Sequence, residues 1–200
     1  VGKPIKKRSI KMISGNLEYV MASLPYLTFD GSAEARSKVS TIFKKYAGPS
    51  EAEKSLTAIL DDEAQKFLDT DDAHIFQQIH LATIHDSRFR ESNNKVLAGF
   101  SSYVYGIKQE LRELRTARRN NGNGASNDKI KVPIQLGNPL EEELQLLQLQ
   151  WNEVETLCMG HYSDFSALIC YKLQLLLLMR WWSFDAEKGF ELFVDTTKKD

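Results

Sequence analysis

Residues 165–182 form the stretch that most limits what this chain can fold into: Phe-Ser-Ala-Leu-Ile-Cys-Tyr-Lys-Leu-Gln-Leu-Leu-Leu-Leu-Met-Arg-Trp-Trp is apolar around most of a helical circumference. A helix that is greasy on every side belongs at the centre of a fold. A membrane span needs about 20 apolar residues with few or no charges. Lys172, Gln174 and Arg180 interrupt this stretch, and no unbroken apolar run in it, Leu175 to Met179 included, exceeds five residues. The segment therefore reads as the core helix of a soluble bundle, in which Lys172 and Arg180 need either a route to water along their stems or a carboxylate partner.

The stretch before it supplies a neighbour. Leu140, Leu144, Leu147, Trp151, Val154 and Cys158 recur at alternating intervals of four and three, which places them on one helical face. Asn138 is a suitable N-cap, Pro139 suits the first helical position, and Glu141 completes a capping box. Gly160 suits a positive φ after the helix, and Ser163 or Asp164 can cap the next one. So short a connection makes the two helices antiparallel neighbours. The two cysteines, Cys158 and Cys170, sit on apolar helical positions and read as buried reduced thiols rather than a disulfide framework.

The remaining segments are built to cover that pair. Residues 16–24 fit neither a helical nor a strand period cleanly and read as either a short helix or a strand, which Pro25 ends or kinks. Asp30-Gly31-Ser32 is a turn capping a helix with Ala35, Val39, Ile42, Phe43 and Tyr46 on one side, stopped by Gly48-Pro49. Ser50 to Glu53 reads as a capping box for a helix burying Leu56, Ile59, Leu60, Ala64, Phe67 and Leu68. Asp69 to Asp72 cap a short helix with Ile75, Phe76 and Ile79. A long amphipathic helix follows from about Asn94 to Arg119, with Phe100, Val104, Ile107, Leu111 and Leu114 inward. The polar, glycine-bearing stretch from Asn120 to Asn127 reads as a flexible loop. Beyond it Ile130, Val132, Ile134 and Leu136 alternate with polar residues, but Pro133 limits them to an edge strand or extended arm. Residues 186–197 suit a final helix. The expectation is an all-α, irregular multi-helix bundle with at most one short edge strand or extended arm. Residues 12–200 form a single helical domain with a flexible loop at about 120–136, and residues 1–11 are a tag or disordered arm.

No catalytic constellation stands out. His74, His80 and His85 are spaced six and five apart, so successive imidazoles fall on different helical faces, whereas chelation from a helix uses i, i+4. Asp61, Asp62 and Glu63 are adjacent, splayed around a helix, and read as a solvated face. There is no phosphate-cradling glycine loop and no nucleophile elbow, and no cofactor is expected. The balance of 26 Lys and Arg against 27 Asp and Glu, a net charge of −1, removes the broad basic field of a dedicated nucleic-acid binder. One local exception is a basic stripe, Lys108, Arg112, Arg115 and Arg119, spaced four, three and four, with Glu110 and Glu113 on neighbouring faces and no interleaved aromatic expected. It reads as a solvated face or as a partner-binding one. Trp181-Trp182 reads as core and edge packing, with an interface anchor as the alternative.

Two stretches carry a family resemblance. Glu18-Tyr19-Val20-Met21-Ala22-Ser23-Leu24-Pro25-Tyr26-Leu27-Thr28-Phe29 is the first. The second comprises Asn138-Pro139-Leu140-Glu141, Trp151, Phe165 to Leu173, Arg180-Trp181 and Phe184 to Gly189. Together they resemble an uncharacterised Bacteroidetes family encoded among V-type (A/V-type) ATPase subunits, over most of residues 12–200. The late block also looks like the final helices of the C-type ATPase subunit (d-type in eukaryotes), an all-helical socket joining the rotor shaft to the membrane ring. The chain is shorter than that protein and shows no threefold helical repeat. The resemblance implies a non-enzymatic helical subunit or assembly factor, cytoplasmic and peripheral to the inner membrane. Its partners would be V-type ATPase rotor, stator or ring subunits, with neither nucleic acid nor direct membrane insertion expected. A nucleic-acid-binding or regulatory helical module is the alternative.

Overall fold

The computed structural model describes residues 15–46, 54–121, 134 and 138–184, and these are all-α. Eight helices are described: α1 (Gly15–Ser23), α2 (Ala33–Lys44), α3 (Leu56–Gln65), α4 (Thr70–Gln77), α5 (Ser87–Arg90), α6 (Lys95–Asn121), α7 (Pro139–Leu157) and α8 (Phe165–Trp182). None of them is long and apolar enough to cross a membrane.

Helix α8 is the centre. Ten of its residues are buried, from Ala167 to Leu173 without a break and then Leu175, Leu177 and Leu178. Each large apolar side chain so buried contributes roughly 1.5–3 kcal/mol. It packs against α1, α3, α6 and α7. The α7–α8 hairpin follows from its caps: Asn138 accepts the Leu140 N–H at 3.0 Å, Gly160 takes φ +88°, and Asp164 accepts the Ala167 N–H at 2.8 Å. Asp164 is thus the cap, and its other oxygen meets His161 Nδ1 at 2.6 Å. Leu147, Trp151 and Val154 are buried as the period requires. Leu140 is an exception and lies exposed, because it falls in the first turn, beyond the reach of the core.

Several expectations change. Of the two alternatives for residues 16–24 the helix is the one formed, over Gly15–Ser23, and its Val20 enters the core. The third helix starts at Leu56 with Ser55 as N-cap, accepting the Ala58 N–H at 3.2 Å. The capping box placed at Ser50 lies outside the described residues. The short helix α5 carries no periodic signal, being a single turn that buries Phe89. The edge strand at 130–136, apart from Ile134, the loop beyond Asn121 and the final helix at 186–197 also lie outside the described residues.

Two charges in α8 find carboxylates, as the apolar surroundings demand. Arg180 Nε lies 3.2 Å from Glu143 Oε1, joining the end of α8 to the start of α7. Lys172 is wholly buried, its Nζ donating to Asp61 Oδ1 at 2.6 Å and to the Phe76 carbonyl at 2.6 Å, with the Phe76 ring 4.5 Å away. Asp61 is therefore not a solvated acid. It turns inward from α3 because an ammonium in the core would otherwise stand without a counter-charge.

Cys158 and Cys170 are likewise not separate thiols. They are joined by a disulfide, with Cα atoms 6.1 Å apart. The tight hairpin brings the C-cap of α7 beside the second turn of α8, within the span a disulfide bridges.

The segment after α1 is clamped by side chains of α8. Tyr171 donates to the Pro25 carbonyl at 2.9 Å, and its burial pushes the phenol well above its ordinary range. Trp181 packs tilted against Phe29, centroids 4.5 Å apart, while Trp182 Nε1 donates to the Asp30 carbonyl at 3.0 Å. The tandem tryptophans thus pack at the edge of the core. A Cβ at Gly31 would overlap the Trp181 indole. Gly31→Ala is expected to cost about 1–3 kcal/mol as the ring is displaced, read by urea unfolding followed through tryptophan fluorescence. An unchanged midpoint would show that the indole is not held there.

Candidate functional site: the outer face of α6

Helix α6 is built to present one face and bury the other. Asn94 accepts the Leu97 N–H at 3.1 Å as its cap and donates to Ser166 Oγ at 3.0 Å, which ties the start of α6 to the start of α8. Val96, Leu97, Phe100, Val104, Ile107 and Leu114 are buried. Along the flank of that buried face Lys108, Arg112 and Arg115 are exposed. Their i, i+4, i+7 spacing puts them in one row spanning roughly 10 Å of helix axis. Arg119 follows one turn later in the same register, and its side chain lies outside the described residues.

The structure extends this row towards the start of the helix. Tyr105, three residues before Lys108, is 38% exposed and lies on the same line. The Arg90 guanidinium sits over its ring, 3.9 Å from the centroid. Lys108 Nζ lies 3.0 Å from His85 Nδ1; the ammonium can only donate, so the imidazole accepts. The expectation that no aromatic shares this face is therefore corrected. The position of Tyr105 was readable from the spacing, whereas Arg90 and His85 were not. His85 arrives from the turn between α4 and α5, which Ser101 pins by donating to the Ile84 carbonyl, and Arg90 from the end of α5 itself.

The acids on α6 do not neutralise the row evenly. Glu113 is exposed beside it. Glu110 is turned towards Tyr103, whose phenol is raised by burial and then by the charges of Glu153 and Glu110. The result is a rigid, cationic ridge. Guanidiniums on such a ridge suit planar anionic groups, carboxylate or phosphate, which they grip bidentately.

Clefts also lie elsewhere among the described residues, and two of them gather several charged side chains. One of about 780 Å³ between α4, α5 and the start of α6 is lined by Asp71, Asp72, His74, Gln78, Arg88 and Glu91, among others. Its groups engage one another: Arg88 donates to Gln78 Oε1 at 3.0 Å and lies 3.7 Å from Asp86, and Gln78 meets His74. Asp72 is raised by burial and by its neighbours Asp69 and Asp71. The other, about 360 Å³, has Arg36, Lys44 and Lys54 around Leu56, Ile59, Met179 and Trp182. Among the described residues no group of three or more His, Cys, Asp or Glu is arranged to hold a metal. His74, His80 and His85 do not converge: His74 bonds Gln78, His85 bonds Lys108, and His80 acts on Asp61 through its charge.

Residues 133–200 match a family described as "Protein of unknown function (DUF2764)". No curated protein and no solved structure matches the chain. The matched part holds α7 and α8, so the bundle's central hairpin is what the match covers, and α6 with its ridge lies outside it.

Proposed function

We propose that this protein is a non-catalytic helical subunit or accessory factor that works through protein–protein contacts, and that its partner belongs to a V-type ATPase. The outer face of α6 is the docking surface in this reading. The observation that carries the docking surface is the row Lys108, Arg112 and Arg115, held in line by a helix whose other face is locked into the core. Charge complementarity commits it to an acidic face on the partner. The choice of complex rests on the resemblance of residues 18–29 and of the late block to a family encoded with V-type ATPase subunits. In this reading the protein lies in the cytoplasm, peripheral to the inner membrane through its complex, and links or assembles the soluble and membrane parts.

Co-expression with the rotor, stator and ring subunits tests both halves of the proposal. Wild-type protein is expected to co-purify with at least one of them. The triple reversal Lys108→Glu, Arg112→Glu, Arg115→Glu is expected to weaken that capture about tenfold or more, with unchanged thermal unfolding. Absence of every ATPase component from the wild-type preparation would overturn the assignment to the complex. Retained capture by the triple variant would move the docking surface off α6.

Tyr105 on the basic row favours a second reading, a nucleic-acid-binding or regulatory module, since aromatic faces among cations stack bases. Binding of single-stranded RNA or DNA that weakens steeply with added salt is its signature. The stacked position of Arg90 over that ring leaves less of it for a base, which ranks this reading second.

A further inference from the structure

The chain has two cysteines, and the fold brings both to one place. Cys158 is the C-cap of α7, and Cys170 lies in the second turn of α8, twelve residues later. Their surroundings are unequal. Cys170 is 4% exposed and packed in the core, whereas Cys158 is half-buried at a helix end and is followed by exposed Met159 and Gly160. Cys158 is thus the more exposed residue of the two, and an approach from solvent is assigned to it.

We propose that Cys158 and Cys170 form a reversible dithiol–disulfide site, with Cys158 as the entry sulfur, operated by a small-molecule thiol–disulfide couple of the glutathione class. In the closing direction the Cys158 thiolate attacks one sulfur of the small disulfide, forming a mixed disulfide and releasing one small thiol. The Cys170 thiolate then attacks Cys158 Sγ, the protein disulfide forms, and the second small thiol leaves. The protein gives up two electrons and two protons, and the small disulfide takes them up as two thiols. Opening is the reverse, with attack on Cys158.

The hairpin does not need the bond to keep its shape. Gly160 at positive φ, the Asp164 cap, the His161–Asp164 contact and the shared core of α7 and α8 all hold it without covalent help. The cycle can therefore run in folded protein. The turn that the bond closes carries the exposed side chains of Met159 (74%) and Tyr162 (82%).

The test equilibrates the full chain, under argon, in buffers spanning reduced to oxidised glutathione, traps free thiols by alkylation, and counts them by mass spectrometry. The expected result is a reversible passage from two trapped thiols to none, with an unchanged far-UV spectrum. Thermal unfolding of the oxidised form should lie roughly 6–12 °C above that of the reduced form, as for a short cross-linked loop. In single variants, Cys170→Ser should take up one glutathione while folded, and Cys158→Ser should take up none. Two free thiols at every ratio would overturn the proposal. So would a bond that resists excess reduced glutathione until the protein is denatured, or an adduct on Cys170 in place of Cys158.

Discussion

Asp61→Ala is expected to cost about 3–5 kcal/mol of unfolding free energy, because it strands a buried ammonium. Lys172 has no exposed surface, and after the change it keeps only the Phe76 carbonyl and ring. The reciprocal Lys172→Met should cost less. Asp61 is 17% exposed, so its carboxylate can turn towards water once the ammonium is gone. The double change Lys172→Met with Asp61→Ala should recover much of the loss, since neither charge then remains in the core. Denaturant unfolding of the four proteins measures this cycle. Loss of less than about 0.5 kcal/mol in Asp61→Ala, the range of an ordinary surface substitution, would show that the pair does not form.

The same pair makes a statement about pH. Burial lowers the Lys172 ammonium below the usual 10.5, opposed by the hydrogen bond and charge of Asp61. Between that lowered value and 10.5 the unfolded chain holds more protons than the native one, so this group's contribution to stability rises with pH. In Asp61→Ala both opposing influences are gone and the folded-state value falls further, so the rise begins at lower pH than in wild type. The deficit of the variant should therefore narrow as pH approaches 10.5. Burial raises Asp61 above 3.8, against the influence of Lys172. Its contribution is thus fully present below 3.8 and is lost as pH rises through the folded-state value.

Phe100→Ala is expected to cost about 3–5 kcal/mol, the usual range for removing a buried ring. Phe100 has no exposed surface and sits on the inner face of α6, two turns before the basic row begins at Lys108. Arg112→Ala, at an exposed position of the same helix, should stay within about 0.5 kcal/mol of wild type. Chemical unfolding separates the two positions directly. A costly Arg112→Ala would mean that the row holds the fold together, and its role as a free docking ridge would fail with that result.

The candidate ridge was legible in part. The spacing of Lys108, Arg112 and Arg115 is a local property of one helix, and burial of Phe100, Val104, Ile107 and Leu114 alongside fixed which way it points. His85 joins it from the connection between α4 and α5 and Arg90 from the four-residue α5, both too short for a helical period of their own, so no pattern announced them. Asp61 was misread for a related reason. Three adjacent acids look solvated until a partner 111 residues away is in view.

What the amino-acid order determined by itself was the central hairpin, its caps at Asn138 and Gly160, and the buried faces of α6 and α7. These depend on contacts within about one helical turn, where side-chain chemistry and the 3.6-residue period act directly. Only the tertiary structure decided that Lys172 meets Asp61, that Tyr171 meets Pro25, that Arg90 covers Tyr105 and that the two cysteines join. Those pairs depend on how helices dock against one another. Docking is set by the sum of many small packing contacts across the core, which no short stretch of chain carries.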